Sequence, residues 1–586
     1  MTRTSGNRWL CAIVAILLLA SMLSLPAATA AAGDGAVDSH AVRRIFDARS
    51  AEERGDWAAA AGLLTGLAAQ SPKNGEFRLM LARARFEMGD YAAAAGDYQA
   101  ALDLKAADPA TLSYRIAQCY ALQKNAGLAL RWLKAAVDLG YRRLEEARAD
   151  PAFGWLREDR GYAEMLGLVD TSKMSREQGW RYDIKFLADW IERRSYHPFR
   201  TETADRYVSS PKYTRQELAA AVAKLMADVP TLNDRQVEIE IFRLLAALGD
   251  GHTEMAGSRR RIEFAMTMPL AFYAFDDGLY VIAAAPKYRE LVGARVLALD
   301  GTPAEAALRK IDELISHDNE MWLRTMEPHF LRHVPFLQDL GIIANDAKVQ
   351  LSVQTAAGGR QTVTVDADPS APDIWNQLPK PAGWIGIADA SRADYQRDNG
   401  SPFWWRWQAD EKILYVQYNK IADGEKQSLA DFAQELGRAI DRYPVDKLVV
   451  DMRNNNGGNT FLNEPLLRVI AGSAKVNAAG HLFVIIGRRT FSAAMNAVSY
   501  FGRYTQAVFV GEPTGGRPNA PGDENFFTLP WSGIVVNLSD RFWQGAWPDD
   551  FSPWRAPDIA APVTFADYAA GRDAAMEAIR AQASPR

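Results

Sequence analysis

The sequence predicts a multidomain chain in which an α-helical repeat array precedes an α/β layer. Three observations carry this expectation. Gly55-Asp56-Trp57-Ala58-Ala59-Ala60-Ala61 returns 34 residues later as Gly89-Asp90-Tyr91-Ala92-Ala93-Ala94-Ala95, and a fixed period of that size marks stacked helix pairs. Further on, the runs Ile413 to Tyr418, Lys447 to Asp451 and Leu482 to Ile486 are short, apolar and separated by helical stretches such as Leu429 to Tyr443, the alternation expected of buried strands with helices. The composition agrees: 586 residues, 48% hydrophobic and 10% aromatic, describe a globular protein with room for several cores.

The N-terminus stands apart from the fold. Arg3 and Arg8 precede the apolar run from Trp9 to Leu25, and Ala28-Thr29-Ala30 offers a small-residue cleavage site, so residues 1–30 read as a secretory signal peptide. The mature protein is then exported, to the periplasm or the exterior. No later stretch is apolar enough to cross a bilayer, and no stable membrane span is expected after cleavage. Cys11 leaves with the signal, which leaves Cys119 alone and excludes a disulfide within the mature chain. Loss of Arg3 and Arg8 lowers the formal charge from −5 by two, to −7. Such a mildly acidic chain lacks the basic face that nucleic-acid binding needs.

Residues 40–170 form the repeat region. A weaker third copy follows at Lys124-Asn125-Ala126-Gly127-Leu128-Ala129-Leu130, and Pro72 and Pro109 are expected to open alternate helices. The pattern resembles tetratricopeptide repeats, whose units bury their apolar faces on one another. The concave face of such an array holds protein partners; a spacer or dimerisation role is the alternative.

A helical subdomain is expected over residues 175–260. Asp183, Phe186, Leu187, Trp190 and Ile191 recur at helical spacing, and Thr231-Leu232-Asn233-Asp234 looks like a helix start for the amphipathic run Val237 to Leu248. The helix stops at Gly249, which puts His252 on a glycine-flanked loop able to project into a cleft. Residues 261–400 turn β-rich: Leu279 to Ile282 and Ala294 to Leu299 read as strands, Asp300-Gly301 as a tight turn, and Pro303 to Ile311 as a helix. That order resembles a PDZ-like module, which takes extended peptides at a sheet edge; a structural β-subdomain is the alternative. The aromatic segment Phe403-Trp404-Trp405-Arg406-Trp407 reads as a packed loop or hairpin. His197, His317, His329, His333 and His481 show no metal-ligand spacing, so neither a metal nor a cofactor is expected.

The last region, 401–570, is the expected α/β core. Ser492 follows its strand Leu482 to Ile486 and opens the helix-like run Ala493 to Phe501. Serine there serves equally as a helix N-cap or as a nucleophile beside N–H groups that stabilise developing negative charge.

Five segments in order weigh toward the nucleophile: Leu248-Gly249-Asp250-Gly251-His252-Thr253, the run Val449 to Asn459 with Asp451, Arg453, Gly457 and Gly458, then Thr490-Phe491-Ser492-Ala493-Ala494, Val510 to Gly516, and Pro557-Asp558-Ile559. Together, over roughly 175–565, they resemble the tail-specific, or carboxy-terminal processing, serine protease family. The resemblance implies a crotonase-like ββα core, peptide-bond hydrolysis and a nucleophile at Ser492. Many members use a lysine base where this chain reads Gly511-Glu512-Pro513-Thr514, and no lysine follows Lys475. The resemblance is therefore to the histidine-using, tricorn-like branch, and implies His252 as base with Asp550, shortly before Pro557-Asp558, as the third member. Where that branch has a serine beside the histidine, this chain has Gly251. The N–H groups of Gly457 or Gly458 and of Ala493 are expected to form the oxyanion hole, while Asp451 and Arg453 lock the strand end. The expected activity is an exported serine peptidase acting on proteins or peptides. Two other classes stay open: a non-catalytic peptide-binding protein with a degenerate site, and a serine esterase.

Overall fold

The computed structural model describes residues 39–582 except 142, 197–198, 200–210, 259–265, 373–379, 388–391, 398–399 and 524. The signal peptide expected over 1–30 and His197 lie outside the described residues. The described residues divide into two compact units, one before and one after the division between residues 136 and 137.

The first unit is helical: α1 (Ser39–Glu53), α2 (Trp57–Gln70), α3 (Gly75–Glu87), α4 (Tyr91–Asp103), α5 (Pro109–Leu122), and α6 (Ala126–Asp138), which runs across the division. The repeated Gly-Asp pair is a stop and a start. Gly55 and Gly89, at φ +73° and +81°, take the left-handed turn that ends a helix. Asp56 and Asp90 then accept the amides of Ala59 and Ala93 at 3.1 and 3.2 Å and cap the next helix. The alanines that follow let helices close tightly, so that Ala60, Ala61, Leu64, Phe77 and Leu81 share one core. Pro109 opens α5 as expected, behind the cap of Asp108. Pro72 does not open a helix; it lies in the turn before α3, which starts at Gly75 behind the Asn74 cap.

The division at residue 136 falls within α6, and the chain beyond it is tied into the second unit: Arg194 Nη1 donates to the Tyr141 carbonyl at 2.9 Å and Thr171 Oγ1 to that of Pro530 at 3.2 Å. Its helical part contains α7 (Arg176–Arg194), α8 (Arg215–Asp228) and α9 (Asp234–Ala246). Asn233 and Gln236 form a capping box at the start of α9, where the sequence places it.

Three sheets matter for the site. A small one has the order β1 (Glu254–Ser258), β13 (Ile534–Asn537), β12 (Phe526–Thr528). A larger antiparallel one runs β2 (Leu270–Phe275), β3 (Gly278–Ala284), β4 (Arg295–Leu299), β5 (Lys348–Gln354), β6 (Arg360–Asp366). It contains the strands, the Asp300-Gly301 turn and the helix Ala304–Ile311 that the sequence indicates. The third has the order β14 (Ile559–Ala560), β11 (Val508–Gly511), β10 (Leu482–Ile486), β9 (Lys447–Asp451), β8 (Ile413–Tyr418), β7 (Phe403–Gln408), parallel except for the β7–β8 hairpin. The aromatic segment is therefore a hairpin strand.

Both faces of this last sheet are covered. Leu414, Val416, Leu448, Val450, Leu482 and Val484 pack on α11 (Leu429–Arg442), whereas the alternate residues Ile413, Tyr415, Val449, Phe483 and Ile485 meet Ala575, Met576 and Ile579 near the C-terminus. Burial on two sides is why these strands read as continuous apolar runs. Among the described residues no helix is long and apolar enough to cross a membrane.

Candidate active site

The parallel strands deliver their loops to one end of the sheet. After β9, Arg453 donates from Nε to Asp451 at 3.0 Å and from Nη1 and Nη2 to both oxygens of Asp573 at 3.0 and 2.9 Å. Asp451 and Arg453 thus lock the strand end, with Asp573 as a third member that no sequence motif marked. Next in the turn, buried Asn455 donates to the Tyr418 carbonyl at 2.9 Å, accepts the Gly457 amide at 2.9 Å, and takes the Phe491 amide on its own carbonyl at 3.1 Å. After β10, Thr490 Oγ1 donates to the Met452 carbonyl at 3.0 Å. Two loops from neighbouring strands are pinned together just before Ser492.

Ser492 begins α12 (Ala493–Tyr504) but does not cap it through its side chain. Its backbone sits at φ +54°, ψ −129°, a region that costs a non-glycine residue roughly 1–3 kcal/mol. The strain turns Oγ out to the cleft, 2.9 Å from His252 Nε2. Gly457 makes the turn possible: it lies at φ +109°, and a Cβ there would fall 2.7 Å from Ser492 Cβ.

His252 is fixed by its backbone and its ring face. Asp250 Oδ1 accepts the amides of His252 and Thr253 at 3.0 and 2.8 Å and the Ser539 hydroxyl at 2.5 Å. Asn537 Nδ2 donates to the His252 carbonyl at 2.7 Å. The imidazole stacks on Phe491 at 4.6 Å, and Phe491 stacks on Trp322 at 4.0 Å. Nδ1 is buried and has no hydrogen-bond partner among the described residues.

Of the expected triad, the structure brings together His252 and Ser492 and leaves Asp550 out. Asp550 accepts the Ser552 amide at 3.0 Å within its own turn, the ordinary behaviour of an acid in a turn. A buried carboxylate that interacts electrostatically with the histidine is Asp318, which holds the Gly251 amide at 2.8 Å. Burial pushes its pKa above the usual carboxyl range, while the charge of His252 and the Gly251 N–H pull the other way. Asp318 sits in the short loop before α10 (Glu320–Phe330), and no motif in the sequence signals it.

The oxyanion expectation is also narrowed. The Gly457 N–H is already given to Asn455, so it is not a donor to substrate. Those of Gly458 and Ala493 carry no hydrogen bond among the described residues; Ala493 is the first residue of its helix, where amides lack intrahelical partners. Both line, with Ser492 and His252, a cleft of about 800 Å³. Among the described residues no three His, Cys, Asp or Glu side chains are placed to hold a metal ion.

Family models for tetratricopeptide repeats match residues 51–96 and 79–143. The N-terminal region is a tetratricopeptide-repeat array. Comparison with curated proteins finds no match. Among solved structures the chain is similar to mature CPAF, with 14% identity over 69% of this chain and 96% of that one, at a TM-score of 0.46. It is also similar to the photosystem II D1 C-terminal processing protease (15% identity, 68% and 98% covered, TM-score 0.33) and to the tricorn protease (14%, 69% and 36%, 0.31).

Proposed function

We propose that the chain is an exported serine peptidase in which Ser492 is the nucleophile and His252 the general base. One observation carries the reading: Ser492 Oγ, on a strained backbone at a helix start, lies 2.9 Å from His252 Nε2. With the imidazole proton on Nδ1, Nε2 accepts the hydroxyl proton as Oγ attacks a carbonyl, and later returns it to the leaving amine. The N–H groups of Gly458 and Ala493 receive the oxyanion, each worth about 3 kcal/mol in the transition state. Asp318, not Asp550, supplies the negative charge that favours the imidazolium.

Two features support a peptide over a small ester. The cleft is large, about 800 Å³, and β1, two residues after His252, is the edge strand of its sheet, a surface to which an extended peptide adds as a strand. The free donors and complete Ser–His pair weigh against a degenerate binding protein. Export rests on the residue pattern of 1–30, and the repeat array is the natural place for a protein partner or large substrate.

The deciding experiment treats the purified mature protein with a fluorophosphonate probe and with an unstructured protein substrate, alongside Ser492→Ala. Labelling and peptide-bond cleavage are expected only with Ser492 present. Labelling that persists in Ser492→Ala moves the nucleophile elsewhere; labelling without any cleavage of peptides, but with turnover of esters, assigns an esterase.

A further inference from the structure

A second cavity, about 270 Å³, opens where β8, β9, β10 and β11 end. Loops outside the carboxyl ends of parallel strands are the usual ligand sites of open α/β sheets. The cavity shares Lys420 and Asn456 with the cleft around Ser492, yet nothing in the hydrolytic chemistry uses it. Among the described residues its wall is cationic: Lys420, Arg453, Arg488 and Arg489 face a single acid, Glu512. Arg453 is committed to Asp451 and Asp573. The other three leave an excess of positive charge over Glu512.

Arg488 is the informative residue. It is 4% exposed, lies over the ring of Tyr273 at 4.4 Å, donates from Nη1 to the Ala274 carbonyl at 2.6 Å, and has Nε 3.7 Å from Glu512. Its Nη2 is buried with no hydrogen-bond partner among the described residues. A buried donor without an acceptor is costly, and a guanidinium is shaped to grip a planar or tetrahedral oxyanion. Beside it stand half-buried Arg489 and exposed Lys420, the latter without an ion pair among the described residues. We propose that this cavity binds a small anion, a carboxylate or phosphate group, held by Arg488, Arg489 and Lys420. Asn456, shared with the cleft, connects such an anion to the turn that carries the Gly458 donor.

The anion is either free in solution or part of the substrate, and two measurements separate these sources. In the first, inorganic phosphate is titrated calorimetrically into the full mature chain carrying Ser492→Ala, at constant ionic strength with chloride as control. Saturable binding is expected, weakened about tenfold in Arg489→Gln and about threefold in Lys420→Gln, in line with the loss of charge-assisted contacts. Lys420 is exposed, so its variant keeps the test valid if Arg489→Gln fails to fold. In the second, the active protein is offered matched peptides ending in a carboxylate or a carboxamide. A preference for the carboxylate that collapses in Lys420→Gln assigns the anion to the substrate; phosphate binding without such a preference assigns it to solution. Neither phosphate binding nor a carboxylate preference, or effects unchanged in both variants, overturns the proposal. The second measurement rests on the peptidase reading, whereas the first is made with the nucleophile removed and decides the site even if no peptide is cleaved.

Discussion

Gly251→Ala tests whether the ring stack, rather than a third hydrogen-bonded acid, aims the histidine. A Cβ at residue 251 would lie 2.7 and 2.9 Å from Phe491 Cζ and Cε2, and 3.3 Å from Asp318 Oδ1. Ordinary contact begins at 3.4 Å, so the Phe491 ring must retreat by about 0.7 Å at its tip. It has little room, because Trp322 stacks on it at 4.0 Å and His252 at 4.6 Å. Overpacking of a tight site costs roughly 1–3 kcal/mol, and a displacement approaching 1 Å in a catalytic pair lowers turnover by as much as about 100-fold. The expected outcome is a loss of ten- to about 100-fold in kcat/KM on a small peptide substrate, a matching fall in fluorophosphonate labelling rate, and a modest drop in Tm. Gly62→Ala, where an added Cβ meets nothing within 4 Å, is the control and should match wild type. Wild-type kcat/KM in Gly251→Ala would refute the reasoning, since the ring would then be free to move without dragging the imidazole.

The remaining predictions concern the same region. Ser492→Gly should melt higher than Ser492→Ala by an amount equivalent to about 1 kcal/mol, because glycine accepts φ +54° without strain; equal melting temperatures would remove the strained elbow. Asp550→Ala should keep near-wild-type kcat/KM, whereas Asp318→Asn should lose about tenfold, the equivalent of roughly 1.4 kcal/mol of imidazolium stabilisation; the reverse order would restore Asp550 to the triad. Glu327, in α10 beside Asp312, has its pKa pushed up to about 7, first by burial and then by Asp312. The folded protein therefore holds a proton that the unfolded chain releases near 4.5, and stability falls as pH rises from about 4.5 to 7 by up to about 3 kcal/mol. Glu327→Gln should flatten that fall in denaturant melts between pH 5 and 8, and an unchanged slope would contradict it. Asp573→Ala strands the buried Arg453 charge and should cost about 3–5 kcal/mol by chemical denaturation; a loss under 1 kcal/mol would mean that Asp451 suffices.

The sequence by itself determined whatever local chemistry settles. The Gly-Asp pairs dictate the breaks between repeat helices because a left-handed glycine and an aspartate cap act within four residues. Strands β8, β9 and β10 are legible because burial on both faces demands unbroken apolar runs, whereas the nomination of Ser492 and His252 as nucleophile and base comes from five ordered segments and the family they resemble, since residue type alone leaves Ser492 equally a helix cap. The tertiary structure decided what lies across chain distance. His252 and Ser492 meet across 240 positions, Gly251 and Asp318 across 67, and Arg453 and Asp573 across 120. Asp550 looked suitable because it precedes a motif, but proximity in sequence does not aim a carboxylate, and its own turn claims it. In the same way Gly457 reads as an oxyanion donor until the fold hands its N–H to Asn455. Arg488, whose Nη2 has no partner among the described residues, meets Arg489 and Lys420 only because separate strand ends converge on one cavity, and that convergence is a property of the sheet, not of any segment of the chain.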